Sequence, residues 1–211
     1  MTFDEFLILY QDAPIIASST FELACDDAAQ LRVQVRHWQR KGYLHALKRG
    51  LYVLDERYRK AALSAEFAAN YLVAPSYLSL EYALARHLLV PEAAYAYTSI
   101  TTRKTRRFSN LLGSFTYRTV KQPLFFGYAP VREGGLEYLL AEPEKALLDY
   151  VYLNGGALDE SPGQLEALRL QNLDRLDLDR LRSYAGRFTH KVRRISERVC
   201  ELAQAQQGGA P

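Results

Sequence analysis

The sequence predicts a protein of the α+β class, because segments with helical and with strand-like hydrophobic patterns follow one another along its 211 residues. Hydrophobic residues make up 48% of the chain, which suffices for a buried core. The composition changes near residue 60, where a basic segment gives way to an apolar one. We therefore expect a domain over residues 1–60, a second over residues 61–206, and a flexible tail over residues 207–211.

Three helices are expected in the first domain. Aromatic and aliphatic residues recur at helical spacing after Thr2, a residue type that caps helices, and Pro14 ends this segment. A short second helix is expected over residues 20–25. The third helix is expected over residues 28–41, where either of the two preceding aspartates can serve as its N-cap.

The third helix has two different faces. Leu31, Val35 and Trp38 fall at i, i+4 and i+7 and form one apolar stripe, which we expect to face the core. Polar and small side chains occupy the remaining positions. Arginine pairs bidentately with guanine and glutamine with adenine, while small apolar side chains can touch a thymine methyl. The candidate DNA contacts of this helix are Gln30, Arg32, Val33, Arg36, His37, Arg40 and Lys41.

A hairpin with a basic tip is expected after this helix. Gly42 has the position of a helix-ending glycine, and strand-like runs over residues 44–47 and 51–54 are joined by Lys48-Arg49-Gly50. A helix followed by a hairpin in this order is typical of a winged helix-turn-helix, in which Lys48 and Arg49 would lie beside DNA phosphates. The alternative is an ordinary exposed turn, since these residue types are common there.

The distribution of charge agrees with a phosphate-binding surface. Residues 1–27 contain six acidic and no basic residues, whereas residues 28–60 contain nine basic and two acidic residues. Such a concentration of positive charge is the electrostatic footprint of a nucleic-acid-binding protein. For a basic cluster without other context a solvated helix face is the more common explanation, so the interpretation depends on the helix and the hairpin together.

The second domain is expected to be a mixed α/β unit with a small sheet and C-terminal helices. Its helices are expected over residues 61–72, 79–89 and 173–185, from Glu142-Pro143-Glu144 onward, and around an apolar stripe over residues 192–202. Its strand-like segments are residues 95–101, 114–120, 124–128 and 136–140.

Five segments of the chain, in order, resemble the AbiEi family of antitoxins. They are YLSLEYALARHLLVPE (residues 77–92), TSITTRKTR (98–106), GSFTYR (113–118), LFFGY (124–128) and EPEKALLD (142–149). Together with the N-terminal domain, the resemblance covers residues 3–153, and residues 77–128 are its most specific part.

The resemblance implies the antitoxin of a type IV toxin-antitoxin system. Such a protein represses its own operon by binding double-stranded operator DNA through the N-terminal winged helix. It opposes a nucleotidyltransferase-like toxin through the C-terminal domain. The alternatives are a nucleotide- or RNA-processing enzyme that carries a winged-helix domain, and a solitary transcriptional regulator.

A second basic run follows one of the predicted strands. Its bases are candidates for contact with phosphates or with a partner, and a solvated loop is the alternative. These residues are Arg103, Lys104, Arg106 and Arg107.

No arrangement typical of catalysis is apparent in the sequence. Glu142, Glu144 and Asp149 are the acids that a metal site would use, but helix capping explains the first two and an outward-facing position explains the third. We therefore predict no catalytic residue, no metal and no cofactor. The chain has neither a run of about 18 apolar residues nor a signal-peptide pattern, so a cytoplasmic protein without membrane contact is expected.

Overall fold

The computed structural model describes residues 1–24, 27–155 and 168–208, and it confirms the predicted α+β class with two separate sheets. The N-terminal part contains a three-stranded antiparallel sheet in the order β1-β3-β2. Its elements are α1 (Phe3–Tyr10), β1 (Ile16–Ala17), α2 (Phe21–Ala24), α3 (Ala28–Arg40), β2 (Leu44–Lys48) and β3 (Leu51–Leu54).

Side-chain caps determine where the N-terminal helices begin. The Glu5 amide donates to Thr2 Oγ1 at 3.3 Å, and the Thr2 amide donates to Glu5 Oε2 at 2.8 Å, which forms a capping box at the start of α1. At the start of α3 the Gln30 amide donates to Asp27 Oδ1 at 2.8 Å. Asp27 is therefore the N-cap of α3, while the other candidate, Asp26, lies outside the described residues.

The second part contains a six-stranded sheet in the order β6-β7-β5-β4-β9-β8, in which β5 and β7, and also β4 and β9, are parallel. The strands are β4 (Ser76–Leu78), β5 (Tyr97–Thr101), β6 (Arg106–Asn110), β7 (Gly113–Thr119), β8 (Tyr128–Glu133) and β9 (Leu136–Ala141). The helices are α4 (Ala65–Leu72), α5 (Leu80–Arg86), α6 (Pro143–Asn154), α7 (Leu178–Ala185) and α8 (His190–Gly208).

Several predicted elements of the second part differ in the structure. The strand predicted over residues 124–128 is wrong, because Gln122–Leu124 is a 3-10 turn and β8 starts only at Tyr128. The helix predicted over residues 61–72 begins at Ala65, where Ser64 Oγ accepts the Phe67 amide at 3.1 Å. The strand β4 escaped prediction because its three residues are all buried and show no alternation.

The last helix extends farther than the sequence pattern suggests. α8 has 19 residues and runs to Gly208, so it includes the first two residues of the predicted tail. Residues 209–211 lie outside the described ranges.

None of the helices in the described ranges combines the length and apolar character that crossing a membrane requires.

Helices cover both faces of the six-stranded sheet. On one face the Tyr117 hydroxyl donates to the Ala69 carbonyl of α4 at 2.6 Å. On the other face the Tyr77 hydroxyl donates to Asp149 of α6 at 2.9 Å. Successive side chains of a strand point to opposite faces of the sheet. Those on one face therefore pack against α4, and those on the other face pack against α5 and α6.

The hairpin of β2 and β3 packs against both parts of the chain. Leu44 and Leu54 belong to the core of the N-terminal helices, whereas Leu47, Leu51 and Val53 belong to the core of the second part. Because the side chains of a strand alternate, one hairpin supplies both cores. The two predicted domains are thus joined by buried apolar contacts as well as by the chain.

Candidate nucleic-acid interface

The burial of α3 agrees with the two faces predicted for it. Leu31 and Val35 are each 1% exposed and Trp38 is 6% exposed, so the predicted apolar stripe faces the core. The candidate DNA contacts of α3 all lie on the exposed side of the helix, and Lys41 is exposed directly after it. We call these exposed helix residues the α3 surface; they are Gln30, Arg32, Val33, Arg36, His37 and Arg40.

Gly42 ends α3 in the left-handed conformation. Its φ is +71°, and the following Tyr43 amide donates to the Trp38 carbonyl at 2.9 Å, a bond typical of a glycine C-cap. A Cβ at residue 42 would have no atom within 4 Å. Glycine is therefore favoured here by its backbone conformation and not by crowding.

Asp55 links the end of α3 to the base of the hairpin. Its carboxylate lies 2.9 Å from His45 Nε2 and 2.6 Å from Arg57 Nε, and Arg57 also donates to the Gly42 carbonyl at 3.2 Å. Hydrogen bonds from Arg57 and then from His45 hold the pKa of Asp55 well below its usual value. These contacts join the residue that ends α3 to residues at the base of the hairpin.

The two bases of the predicted wing tip have different surroundings. Arg49 is exposed at the turn between β2 and β3. The Lys48 ammonium instead donates to the Leu72 carbonyl of α4 and lies 5.9 Å from the centroid of the Phe108 ring. Burial, and then the charge of Arg106, lower the pKa of Lys48. In this conformation Lys48 holds the hairpin against α4, which is not the phosphate contact that the sequence predicted.

Two further basic residues of the segment 28–60 donate hydrogen bonds to neighbouring groups of the protein. Arg59 donates to the Leu54 carbonyl at 3.2 Å and to the Ala61 carbonyl at 3.1 Å, and Arg57 makes the bonds to Asp55 and Gly42. Counting the bases of residues 28–60 therefore overstates the charge available to a ligand. The exposed bases on or next to α3 and at the hairpin tip are Arg32, Arg36, Arg40, Lys41 and Arg49.

The second basic run lies partly on an edge strand. Arg103 and Lys104 are exposed in the connection after β5, but Arg106 and Arg107 belong to β6, which is at one edge of the six-stranded sheet. Arg106 pairs in register with Tyr117, whose hydroxyl reaches α4. Arg107 pairs with Thr116 on the opposite face. Since strand side chains alternate, the run does not form one continuous surface.

Asn110 connects β6 to the hairpin. Its side-chain amide donates to the Leu47 carbonyl at 3.0 Å, and its Oδ1 accepts the Leu112 amide at 2.9 Å. Arg106 lies close enough to Lys48 to affect its pKa. The α4-side face of β6 thus adjoins the hairpin, a neighbourhood that sequence patterns do not reveal because the two strands are more than 50 residues apart.

The acidic residues considered for a metal site have other contacts. Glu142 is the N-cap residue of α6, but its side chain makes no capping bond and accepts instead from the Tyr184 hydroxyl at 2.6 Å. Glu144 is buried and accepts the Asp177 amide at 2.8 Å. Among residues 1–24, 27–155 and 168–208, no group of three or more His, Cys, Asp or Glu side chains is placed to hold a metal ion.

The expectation that Asp149 faces outward is wrong. Its side chain is fully buried, forms an ion pair with Lys145, and accepts from the Tyr77 and Ser79 hydroxyls at 2.9 Å each. Burial raises the pKa of Asp149 and lowers that of Lys145, because both charges are removed from water. Apolar residues surround Lys145 and Asp149 in the sequence of α6. The hydrophobic pattern of this helix therefore did not show whether Asp149 is buried or exposed.

The structure thus leaves one group of predicted DNA contacts exposed and close together in the chain. This group consists of the bases and the glutamine of α3, together with Arg49. Of the two bases of β6, Arg106 is on the face next to the hairpin and Arg107 is on the opposite face of the sheet. A comparison with protein families and with curated proteins finds no match for this chain.

Proposed function

We propose that this protein is the antitoxin of a type IV toxin-antitoxin system and represses its own operon by binding operator DNA. The observation that carries the DNA-binding half is the α3 surface. It presents arginines, a glutamine and a histidine on the helix face opposite the buried stripe of Leu31, Val35 and Trp38. A helix of this kind fits the major groove of B-DNA and reads base edges.

Val33 supports this use of α3. It is an apolar side chain 58% exposed among the basic residues of the helix. An exposed valine side chain is not stabilised by contact with water, but it can pack on a thymine methyl when the helix lies in the major groove. Arg32 directly precedes it and Arg36 lies three positions after it on the helix, and both supply donors for guanine.

The elements around α3 support a winged helix-turn-helix. α2 and α3 precede the hairpin of β2 and β3, and β1 pairs with β3 so that the hairpin is anchored beside the helices. In this proposal α3 is the recognition helix and Arg49 at the hairpin tip contacts a phosphate. Lys48 acts through the packing of the hairpin on α4.

The antitoxin half of the proposal rests on the resemblance of residues 77–149 to the AbiEi family. These segments supply β4, α5, β5, β7 and the first half of α6. In the proposal the second part opposes a nucleotidyltransferase-like toxin, either by direct contact or by acting against its product. A toxin encoded next to this gene is the expected partner.

DNA binding is tested with the full-length chain and a labelled fragment from upstream of its own gene. We expect the binding affinity, measured by fluorescence anisotropy, to fall steeply with salt concentration because phosphate contacts release counterions. The double charge reversal Arg36→Glu plus Arg40→Glu should abolish specific binding.

The matched control is Arg132→Glu. Arg132 is 85% exposed on β8, at the opposite edge of the six-stranded sheet from β6, so reversal of its charge should leave DNA binding unchanged. If the Arg36 and Arg40 double variant, shown to be folded by circular dichroism, bound the fragment like the wild type, the assignment of α3 would be wrong.

The antitoxin activity is tested by co-expression with the adjacent nucleotidyltransferase-like gene. We expect growth arrest when that gene is expressed alone and recovery when this chain is present. The DNA-binding double variant, supplied from an independent promoter, should still restore growth. Loss of rescue by the wild-type chain, despite retained DNA binding, would indicate a solitary transcriptional regulator.

A further inference from the structure

A cavity of about 550 Å³ lies between the six-stranded sheet and the helices α5 and α6. Its volume is within the range of small-molecule sites, about 300–1,000 Å³. The loop between α5 and β5 closes one side of it. Most of the described side chains that line it are apolar, among them Leu80, Leu84, Val90, Leu147, Leu168 and Leu170.

Two guanidinium groups line the sheet side of this cavity. Arg107 pairs across the sheet with Thr116, and Arg118 is two residues farther along β7, so the three side chains lie on one face. Arg118 donates through Nη2 to the Leu153 carbonyl at 3.2 Å, and its other N–H groups have no partner among the residues that the structure describes. Arg107 makes no hydrogen bond or ion pair with any residue that the structure describes.

Two tyrosines line the other walls. Tyr95, in the loop before β5, lines the cavity although its side chain is 99% exposed. Tyr150 projects from α6, and burial, followed by the charges of Glu81 and Glu92, raises the pKa of its hydroxyl. Aromatic rings that border a cavity offer large contact areas to a planar ligand.

The acidic residues of the lining, Glu81 and Glu92, form no ion pair with Arg107 or Arg118 among the described residues. Glu92 lies in the loop before β5, and its carboxylate is 2.8 Å from Arg169 Nη1. Glu81 lies on α5, on the helix side of the cavity. The guanidinium groups of Arg107 and Arg118 thus face an apolar cavity on the sheet side, where an anion would be partly removed from water.

We propose that this cavity binds a small aromatic anion. Its negative group is held by Arg107 and Arg118, since arginine binds phosphates, sulfonates and carboxylates through paired N–H groups. Its ring packs against Tyr95, Tyr150 and the aliphatic side chains. The ligand class includes nucleoside 5′-monophosphates, and the site is independent of the proposed DNA contacts on α3.

The site is tested with the full-length chain and 8-anilinonaphthalene-1-sulfonate, an aromatic anion whose fluorescence increases in apolar surroundings. We expect saturable binding with one molecule per chain. Arg107→Gln should weaken binding by about tenfold, because it removes one charged donor pair. Ala94→Trp, in the loop that lines the cavity, should abolish binding by filling the space.

The matched control is Arg103→Gln. Arg103 belongs to the same basic run but does not line the cavity, so its replacement should leave the affinity unchanged. Nucleoside 5′-monophosphates should displace the probe, and the corresponding uncharged nucleosides should displace it at least tenfold less well.

Three results would overturn the proposal. The first is a folded wild-type chain that shows no saturable binding of the probe or of any nucleoside 5′-monophosphate. The second is unchanged affinity in both Arg107→Gln and Ala94→Trp, each shown to be folded by circular dichroism. The third is equal displacement of the probe by nucleosides and by their monophosphates, which would contradict an anion site.

Discussion

Lys145 and Asp149 lie one turn apart in α6 and form an ion pair in which neither side chain is exposed to solvent. The Tyr77 hydroxyl accepts from Lys145 Nζ at 2.9 Å and donates to Asp149 at 2.9 Å. Ser79, directly before α5, also donates to Asp149. Lys145 and Asp149 belong to the segment EPEKALLD, whereas Tyr77 and Ser79 belong to the segment that begins at residue 77, so the network joins two distant parts of the chain in the core.

Replacement of Asp149 with alanine should destabilise the protein strongly. The substitution leaves the Lys145 ammonium buried without a counter-charge. We expect the free energy of unfolding to fall by about 3–5 kcal/mol, measured by urea denaturation. The double variant Lys145→Met plus Asp149→Leu should recover part of this loss, because it removes both buried charges.

The control for this prediction is Glu201→Ala. Glu201 lies 2.6 Å from Arg198 in an exposed ion pair, so its removal should change the free energy of unfolding by less than about 1 kcal/mol. A change of that small size for Asp149→Ala as well would mean that the buried pair is not needed for stability.

Asp55 should make the stability depend on pH in the acid range. Its folded-state pKa is lowered by Arg57 and His45, whereas the unfolded value is about 3.9. A lowered pKa contributes stability that is present above the unfolded value and is lost as the pH falls toward the folded one. Between about pH 5 and about pH 2 the wild type should therefore lose more unfolding free energy than Asp55→Asn.

Urea denaturation of both proteins at several pH values measures this difference. The two curves should converge as the pH falls, because protonation removes the advantage of the charged carboxylate. Curves that remain parallel across the range would contradict the assigned role of the bonds from Arg57 and His45.

Gly42→Ala should destabilise the end of α3. Alanine in the left-handed conformation costs about 1 kcal/mol, and no neighbouring atom would obstruct its methyl group. Gly42→Asn should cost less, since asparagine adopts this conformation more readily. Urea denaturation of the two variants checks the order, and an asparagine variant less stable than the alanine variant would show that another factor dominates.

Lys48 and Arg49 should differ in their effect on DNA binding, if the proposed function holds. Arg49→Met should weaken binding and reduce the slope of log affinity against log salt concentration by about 0.9, the value for one phosphate contact. Lys48→Met should leave the slope unchanged, because its ammonium binds the Leu72 carbonyl. Anisotropy titrations at several salt concentrations measure both slopes, and an equal reduction for the two variants would show that Lys48 also reaches the DNA.

The N-terminal helices and the hairpin were predictable because their signals are local. The spacing of Leu31, Val35 and Trp38 defines the buried side of α3 from residues within two turns. Asp27 and Gly42 then define where the helix begins and ends. The exposed residues of α3 follow directly from this geometry, which is why the sequence identified them.

The surroundings of the second basic run were not predictable in the same way. Arg106 and Arg107 are adjacent in the chain, but β6 places one on the α4 side of the sheet and the other at the cavity. That separation depends on pairing with β7. A polar edge strand carries little hydrophobic pattern, so the sequence indicated only a loop.

The sequence by itself determined the α+β class, the two faces of α3 and the position of the hairpin, because each depends on residues a few positions apart. Only the tertiary structure decided that Lys48 holds the hairpin to α4 and that Asp149 is buried. The Tyr77 and Ser79 hydroxyls that bind Asp149 are 72 and 70 residues away from it in the chain. The burial of a charged residue depends on such distant partners, and local periodicity carries no information about them.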